Sequence, residues 1–252
     1  MKAVCLVTVT DLRFERNATL SLDTLRVGFP TWEIEIWFNS VGLIPESGAK
    51  RCDKLGATYR WFSGHHADWI RDRITGNVGT LFVVDPDIVF HKNVEGFTFD
   101  QLLAGHYVPC MWNEYAQCPS LDRLHTEFLA VKDCQRLLVE VKNKYQLDGC
   151  YSLCDPFMPK IVFYKGQPVC YDTCCNLFQM VGGRRFTESE LSCYSHVNSS
   201  SFVKEMSERM ENGEGFRKYH EAVADGSFDI TGNWKLIDEY YERMRRKVSI
   251  KL

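Results

Sequence analysis

The 252-residue sequence predicts an α/β fold with a doubly wound, mostly parallel sheet and helices on both of its faces. Over residues 1–90, apolar β-branched runs alternate with stretches of helical periodicity, which is typical of βαβ units. Glycine or proline ends the first two helical stretches, at Gly28 to Pro30 and at Gly56. A hydrophobic share of 45% supplies enough apolar surface for a core.

The first ninety residues predict four strands joined by three helices. The first strand, 3–10, is a continuous apolar run, as in strands buried on both faces. A third helix opens at Ser63 or His65 and buries Ile74. The other predicted strands are 34–38, 57–62 and 79–85, and the other predicted helices are 17–27 and 46–55.

The pattern is weaker after residue 90. Residues 91–125 are rich in turns and aromatic residues, and a short strand is predicted at 128–131 before a clear helix at 133–145. Short β segments, including 160–164, occupy 148–200, and 202–252 is mostly helical and charged. We expect one domain over 1–252.

Composition excludes some classes of protein. The net charge of −3 excludes attraction to nucleic acid over the whole surface, although a local basic patch remains compatible with it. No apolar stretch reaches 18 residues, so we expect no transmembrane helix and no membrane partner. The N-terminus has the pattern of a buried strand and not of a signal peptide, which predicts a cytoplasmic protein.

Eleven cysteines raise the question of a metal site. One group combines C-x3-C spacings with a histidine: Cys150, Cys154, Cys170, Cys174, Cys175, Cys193 and His196. Structural zinc usually takes closer C-x2-C pairs. Buried free thiols are therefore the favoured interpretation, and a zinc-containing binding module remains an alternative.

The segment LFVVDPDIVF, residues 81–90, carries the most chemical information. Asp85 and Asp87 are two residues apart at the end of an apolar strand, so both carboxylates face one spot, and Pro86 stiffens the turn. Two adjacent carboxylates repel each other unless a cation lies between them. Mn²⁺ or Mg²⁺ fits such oxygen ligands, whereas a turn with an Asx hydrogen bond is the simpler alternative.

This segment resembles the D-x-D motif of GT-A glycosyltransferases, which ends the fourth strand of their nucleotide-binding half. The order of elements agrees over residues 1–90 and, more weakly, to about residue 200. The resemblance implies a nucleotide-sugar donor and a divalent cation held by Asp85 and Asp87. It also divides the chain into a nucleotide-sugar-binding half (1–90), an acceptor-binding half (91–200) and C-terminal helices (201–252).

The resemblance also suggests donor-binding residues. In similar enzymes a helix start before the D-x-D strand contacts the nucleotide or the donor sugar, which here points to His66 and Asp68. Asp11 follows the first strand, and with Asp85 it lies at the carboxyl edge, where such sheets bind ligands. Surface positions at a helix N-cap explain His66 and Asp68 equally well.

Three further residues are candidates for metal binding and catalysis. Similar enzymes often place a histidine after the acceptor half to complete the metal shell, which suggests His196 in SCYSHVNSSS. If the anomeric centre inverts, a carboxylate must take the acceptor proton. Asp172 is the first candidate for this base and Glu127 the second, and the sequence leaves inversion and retention open.

The acceptor is not identified by the sequence. Tyr107, Trp112, Tyr115 and Phe128 are aromatic residues in the acceptor half that could stack on a sugar or a base. Residues 240–252 are basic, through Arg243, Arg245, Arg246, Lys247 and Lys251. A solvated terminal helix explains this charge, and the alternative is a phosphate-bearing acceptor such as modified DNA, as in phage-type sugar transferases.

Other enzyme classes remain open. D-x-D-x-V also matches the nucleophile motif of haloacid-dehalogenase-like phosphatases, but no DD or GD pair follows it here. A nucleotidyltransferase would normally have a glycine-rich basic loop after the first strand, and TVTDLRFERN lacks one.

Overall fold

The computed structural model describes residues 4–9, 15–38, 46–61, 73–74, 76, 79–108, 112–113, 117–120, 123–147, 161–170, 177–178, 181–196 and 213–229. The strands in chain order are β1 Val4–Val9, β2 Glu33–Phe38, β3 Thr58–Trp61, β4 Leu81–Val84, β5 Ile88–Phe90, β6 Leu103–Val108, β7 Trp112–Asn113, β8 Cys118–Pro119, β9 Arg123–Val131, β10 Ile161–Tyr164, β11 Gln167–Cys170, β12 Arg184–Arg185, β13 Tyr194–His196 and β14 Phe228–Asp229. The helices are α1 Glu15–Gly28, α2 Glu46–Leu55, α3 Cys134–Leu147, α4 Glu188–Leu191 and α5 Glu214–Ala224.

The main sheet has seven strands in the order β12-β6-β9-β4-β1-β2-β3. β1 pairs in parallel with both β2 and β4. β2 also pairs in parallel with β3, and β6 pairs in parallel with β12. Only β9 runs antiparallel, between β4 and β6. The sheet is therefore mostly parallel, and the carboxyl ends of β1, β2, β3, β4 and β6 share one edge.

Helices pack on both faces of this sheet. Phe82 of β4 lies in an apolar cluster with Leu22 of α1, while Leu81 lies in a second cluster with Leu137 of α3 on the other face. Successive strand residues point to opposite faces, so a strand buried on both sides is apolar throughout, as β4 is. The predicted α/β class with helices on both faces is confirmed.

The first four strands and the first two helices agree with the sequence within two or three residues, and α2 agrees at both ends. The start of the third predicted helix, at Ser63 or His65, lies outside the described residues. The short strand predicted at 128–131 is wrong in length, because β9 begins at Arg123. The sequence does not predict β5 or β6, and it predicts short β segments over 148–200 without the bounds of β12 and β13. β5, β12 and β13 have only two or three residues each, and β6 is interrupted by Gly105 and His106, so none of them shows a clear period.

The C-terminal part combines a helix with a strand. α5 confirms the expected helical character, but β14 adds a strand to the β10–β11 hairpin, which was not expected. Phe228 and Ala222 form a small core there with Trp112 and Tyr164 packed against it. Within the described part of the chain, no helix is long and apolar enough to cross a membrane.

α1 holds β5 against the sheet through a close contact at its last residue. A Cβ atom on Gly28 would lie 2.6 Å from Cγ of Phe90, a distance that van der Waals contact does not allow. The backbone N–H of Phe90 donates to Oγ1 of Thr24 at 3.0 Å, and the N–H of Val94 donates to the carbonyl of Gly28 at 2.9 Å. The end of α1 therefore fixes the position of β5.

Replacing Gly28 with alanine is expected to destabilise the protein, although alanine normally favours helices. The methyl group would force Phe90 or α1 to move, at a cost of about 1–3 kcal/mol. For a chain of this size we expect the melting temperature to fall by roughly 2–10 °C. Gly96→Ala is the matched control, since nothing lies within 4 Å of that position. Equal melting temperatures for the two variants would contradict the packing assigned to Gly28.

Candidate functional site

The two carboxylates predicted at the carboxyl edge lie in a tight turn after β4. The turn runs from Asp85 to Ile88, and the backbone N–H of Ile88 donates to the carbonyl of Asp85 at 3.3 Å. Pro86 occupies the second position of the turn, where its fixed φ angle suits the geometry. Both aspartates are partly exposed, although Oδ1 of Asp87 is buried.

Strand pairing brings His196 to this turn from a distant part of the chain. β13 runs antiparallel to β5, and His196 is the register partner of Ile88, which directly follows Asp87. Nε2 of His196 lies 3.1 Å from Oδ1 of Asp87, and the side chains are 16% and 14% exposed. Two of the three predicted metal ligands are thus in contact.

An aromatic cluster fixes the β5–β13 pair to the core. Tyr194 is buried, with its ring centroid 5.0 Å from that of Phe128 and 6.4 Å from that of Phe90. The carbonyl of Cys193 also accepts hydrogen bonds from the N–H groups of His91 and Lys92, at 2.8 and 3.2 Å. Tyr194 and His196 are two residues apart on β13, so their side chains lie on the same side of the strand.

The short helix α4 holds the segment that leads into β13. Thr187 and Glu190 form a reciprocal capping box, and Glu190 is paired with Arg184 of β12 at 2.7 Å. Burial raises the pKa of Glu190, but hydrogen bonds from Arg184 and Thr187 outweigh it and keep the pKa below its ordinary value. The same pair raises the pKa of Arg184 through its hydrogen bond to Glu190.

The contact between Asp87 and His196 permits two kinds of chemistry. It can be an ion pair when His196 is protonated, or the two atoms can be neighbouring ligands of one cation. Two ligands at about 2.1–2.2 Å from an octahedral ion lie about 3.0 Å apart, close to the observed separation. Among the described residues, no three His, Cys, Asp or Glu side chains form a metal-binding group, so the structure assembles this pair and not a complete set.

Several predicted site residues cannot be placed. Asp11, His66, Asp68 and Asp172 lie outside the described residues, as does the basic segment 240–252.

Glu127 lies inside β9, and not before a short strand as predicted. Phe128 pairs with Val84, so the backbone at Glu127 continues beside the turn that begins at Asp85. On the other side of β9, Gly105 pairs with Leu129 and Tyr107 with Leu124, so residue 106 lies opposite residues 125–128. Glu127 therefore lies in a bulge at the carboxyl edge, a location at which bulges often border active sites.

The aromatic residues predicted to contact the acceptor differ in their burial. Phe128 is fully buried in the core, so its predicted contact with the acceptor is wrong. Tyr107 and Trp112 are partly exposed, and Tyr115 lies outside the described residues. Trp112 packs against Tyr164, with ring centroids 5.3 Å apart.

The cysteines that the structure describes in full are buried and free: Cys52, Cys118, Cys134 and Cys193. Burial, with Asp53 nearby, raises the pKa of Cys52 to about 11, and burial with Asp133 nearby raises that of Cys134 to about 12. Such thiols stay protonated and are poor metal ligands, but Cys52 and Cys134 do not belong to the predicted cysteine group. Cys193, a member of that group, is buried and free. Cys150, Cys154, Cys174 and Cys175 lie outside the described residues.

Two polar networks were missed from the sequence. The capping box had a readable signal, T-x-x-E at residues 187–190, that was not used. On β2, Glu35 binds Arg73 at 2.6 Å and accepts a hydrogen bond from Nε1 of Trp37 at 3.2 Å. The guanidinium groups of Arg73 and Arg60 lie 5.6 and 5.7 Å from the centre of the Trp37 ring. No short motif marks such a cross-strand network.

Comparisons with known proteins give structural likenesses only. No protein-family model matches the sequence, and no curated protein matches it. The glycosyltransferase GlyE of Streptococcus pneumoniae TIGR4 is similar with a TM-score of 0.41 and 10% identity, over 75% of this chain and 46% of that chain. The mannosyltransferase PcManGT from Pyrobaculum calidifontis, in complex with GDP-Man and Mn²⁺, is similar with a TM-score of 0.39 and 10% identity. The match covers 55% of this chain and 46% of that chain.

The galactosyltransferase LgtC, in complex with donor and acceptor sugar analogs, gives a TM-score of 0.39 and 10% identity, over 72% of each chain. The match spans less than half the length of GlyE and of PcManGT. These low TM-scores do not assign the chain to a family, so its function is inferred below from its own residues.

The Arg184–Glu190 pair predicts a pH-dependent contribution to stability. Because the pKa of Glu190 in the folded state lies below its ordinary 4.5, this stabilisation is present at neutral pH. It is lost as the pH falls through the folded-state pKa. Glu190→Gln should therefore cost about 1–2 kcal/mol at pH 7, and the cost should shrink as the pH falls below the ordinary carboxyl pKa of 4.5.

Urea unfolding at pH 7 and at pH 3.5 measures this effect. The exposed neighbour Glu188 is the control, and Glu188→Gln should leave the free energy of unfolding within about 0.5 kcal/mol at both pH values. A cost for Glu190→Gln that is the same at both pH values would contradict the role of the ion pair.

Proposed function

We propose that the protein is a metal-dependent glycosyltransferase of the GT-A type, which transfers a sugar from a nucleoside-diphosphate sugar to an acceptor hydroxyl. The observation that carries this proposal is the 3.1 Å contact between Asp87 and His196 at the carboxyl edge of the sheet. The resemblance to GT-A enzymes suggests both the D-x-D turn and the late histidine as metal ligands. Their meeting at the edge where such sheets bind nucleotides supports a common ligand.

The residues of the turn fit a hard divalent cation. Asp87 and His196 would hold Mn²⁺ or Mg²⁺, and Asp85 on the same turn would complete the protein's share of the ligands. When bound, the cation supplies positive charge that stabilises the leaving nucleoside diphosphate. Since Pro86 restrains the turn and β13 is fixed by Tyr194, Asp87 and His196 would be held in place before any donor binds, while Asp85 would join them on binding the cation.

The remaining roles are proposals from the sequence. Asp11, His66 and Asp68 would bind the donor, together with Asp85. If the reaction inverts the anomeric centre, Asp172 or Glu127 would accept the proton of the acceptor hydroxyl. The position of Glu127 in the bulge beside the Asp85 turn supports its candidacy, since a base must lie within reach of the reacting atoms.

The competing classes gain no comparable support. A haloacid-dehalogenase-like phosphatase would use Asp85 as its nucleophile, and the late histidine beside Asp87 is not part of that motif. A zinc-binding module would join cysteines to His196, and Cys150, Cys154, Cys174 and Cys175 lie outside the described residues. Cytoplasmic location and a DNA-base acceptor stay predictions from the sequence.

Isothermal titration of UDP, GDP, CDP and ADP, each with and without Mn²⁺, tests the proposal. One nucleoside diphosphate should bind much more tightly when Mn²⁺ is present, and that preference identifies the donor's base. Asp87→Asn removes one charged ligand and keeps the side-chain shape, so we expect the metal-dependent affinity to fall roughly tenfold or more.

Matched controls separate this loss from a general effect of charge. Asp53 is an exposed aspartate on α2, and Asp53→Asn should bind as the wild type does. Hydrolysis of the matching nucleotide sugar, which is the reaction with water as acceptor, should depend on Mn²⁺ in both proteins. Nucleotide binding that is equal with and without Mn²⁺ for all four bases would contradict the proposal.

A further inference from the structure

Arg184 and Arg185 are neighbours on β12 but have different surroundings. Arg184 stabilises the fold, because its guanidinium donates hydrogen bonds to both carboxylate oxygens of Glu190 and to the carbonyl of Thr98. Arg185 is exposed, and within the described part of the chain no carboxylate is paired with it. Its guanidinium lies 4.7 Å from the centre of the Tyr107 ring. The fold thus holds a solvent-exposed guanidinium group over an aromatic ring.

The sheet register places Arg185 and Tyr107 at the same edge as the D-x-D turn. Leu103 of β6 and Leu81 of β4 both pair with Val131, and the two strands run in the same direction. Tyr107 is four residues after Leu103, as Asp85 is after Leu81, so both lie at the carboxyl edge. Two strand spacings separate them, which corresponds to about 10 Å.

This pair lies on the side of β4 away from β1, β2 and β3. The predicted nucleotide-binding half occupies the other side, so the pair faces the predicted acceptor half. A backbone separation of about 10 Å between Tyr107 and Asp85, with Arg185 one strand farther out on β12, leaves room for the donor sugar and one acceptor unit. The position therefore suits a group of the acceptor and not the diphosphate of the donor.

The chemistry of the pair selects an oxyanion. A guanidinium presents a planar fork of N–H donors that matches a carboxylate or phosphate with two hydrogen bonds. Stacking on Tyr107 fixes the plane of the fork and leaves its edge for a ligand. Gly183, on the approach to β12, has no space for a side chain, since a Cβ would lie 2.8 Å from Cδ1 of Leu124. The strand that carries Arg185 is thereby seated tightly against β6 and β9.

We propose that Arg185, held over Tyr107, binds a carboxylate or phosphate group of the acceptor, so that the acceptor is an anionic sugar. This inference rests on the proposed function, because it names the substrate class of the same site. Arg185 acts through binding and takes no part in bond making.

Titration of glucose, glucose 6-phosphate and glucuronate, with and without Mn²⁺ and the preferred nucleoside diphosphate, tests the proposal. At least one of the two anionic probes should bind roughly tenfold more tightly than glucose, and comparing them separates phosphate from carboxylate recognition. Arg185→Gln should abolish this preference, and Arg185→Lys should retain only part of it, because an ammonium lacks the planar fork. Arg136, an exposed arginine on α3, provides the control Arg136→Gln, which should behave as the wild type does.

The outcomes distinguish the two proposals. Equal binding of glucose and both anionic probes, or an anion preference that persists in Arg185→Gln, would overturn the role of Arg185. Loss of nucleoside diphosphate affinity in Arg185→Gln would also overturn it, since the residue would then serve the donor. Absence of Mn²⁺-dependent nucleotide binding in the wild type would instead defeat the proposed function, while the anionic probes still report on Arg185.

Discussion

The pairing of β5 with β13 is the constraint on which the candidate site depends. These strands are short, and neither belongs to the main sheet, yet their register determines which side chains meet at the Asp85–Asp87 turn. Their position comes from packing: Phe90 fits against Gly28 on one side, and Tyr194 lies among Phe90 and Phe128. An aromatic core thus provides the precision that the hydrogen bonds of three-residue strands could not supply alone.

The same arrangement explains why the site can be rigid at the edge of a sheet. β4 ends at the turn, and its apolar residues are buried on both faces of the sheet. The polar network of Arg184, Thr187 and Glu190 fixes the chain just before β13. Asp87 and His196 are therefore supported from both strands, and binding of a cation would require little reordering.

Part of this architecture could be predicted from the sequence because the local signals were strong. The early βα units showed clear periodicity, and the aspartates after an apolar strand indicated the binding edge. The extended β9, with its bulge around Glu127, was missed because antiparallel pairing in this region depends on distant strands. Phe128 was assigned to the acceptor although it is buried, since sequence alone does not show which aromatic residues face the core. The meeting of His196 with Asp87 was suggested by resemblance, and only the β5–β13 register gives it a physical cause.

The central claim is that Asp87 and His196 bind the same cation. Electron spin echo spectroscopy of Mn²⁺ bound with the preferred nucleoside diphosphate tests it most directly, because a directly bound imidazole gives a nitrogen modulation of the manganese signal. We expect this modulation in the wild type, its loss in His196→Gln, and its retention in a variant with the exposed His220 replaced by glutamine. Bound Mn²⁺ without nitrogen modulation in the wild type would contradict the account, as would a modulation that survives in His196→Gln.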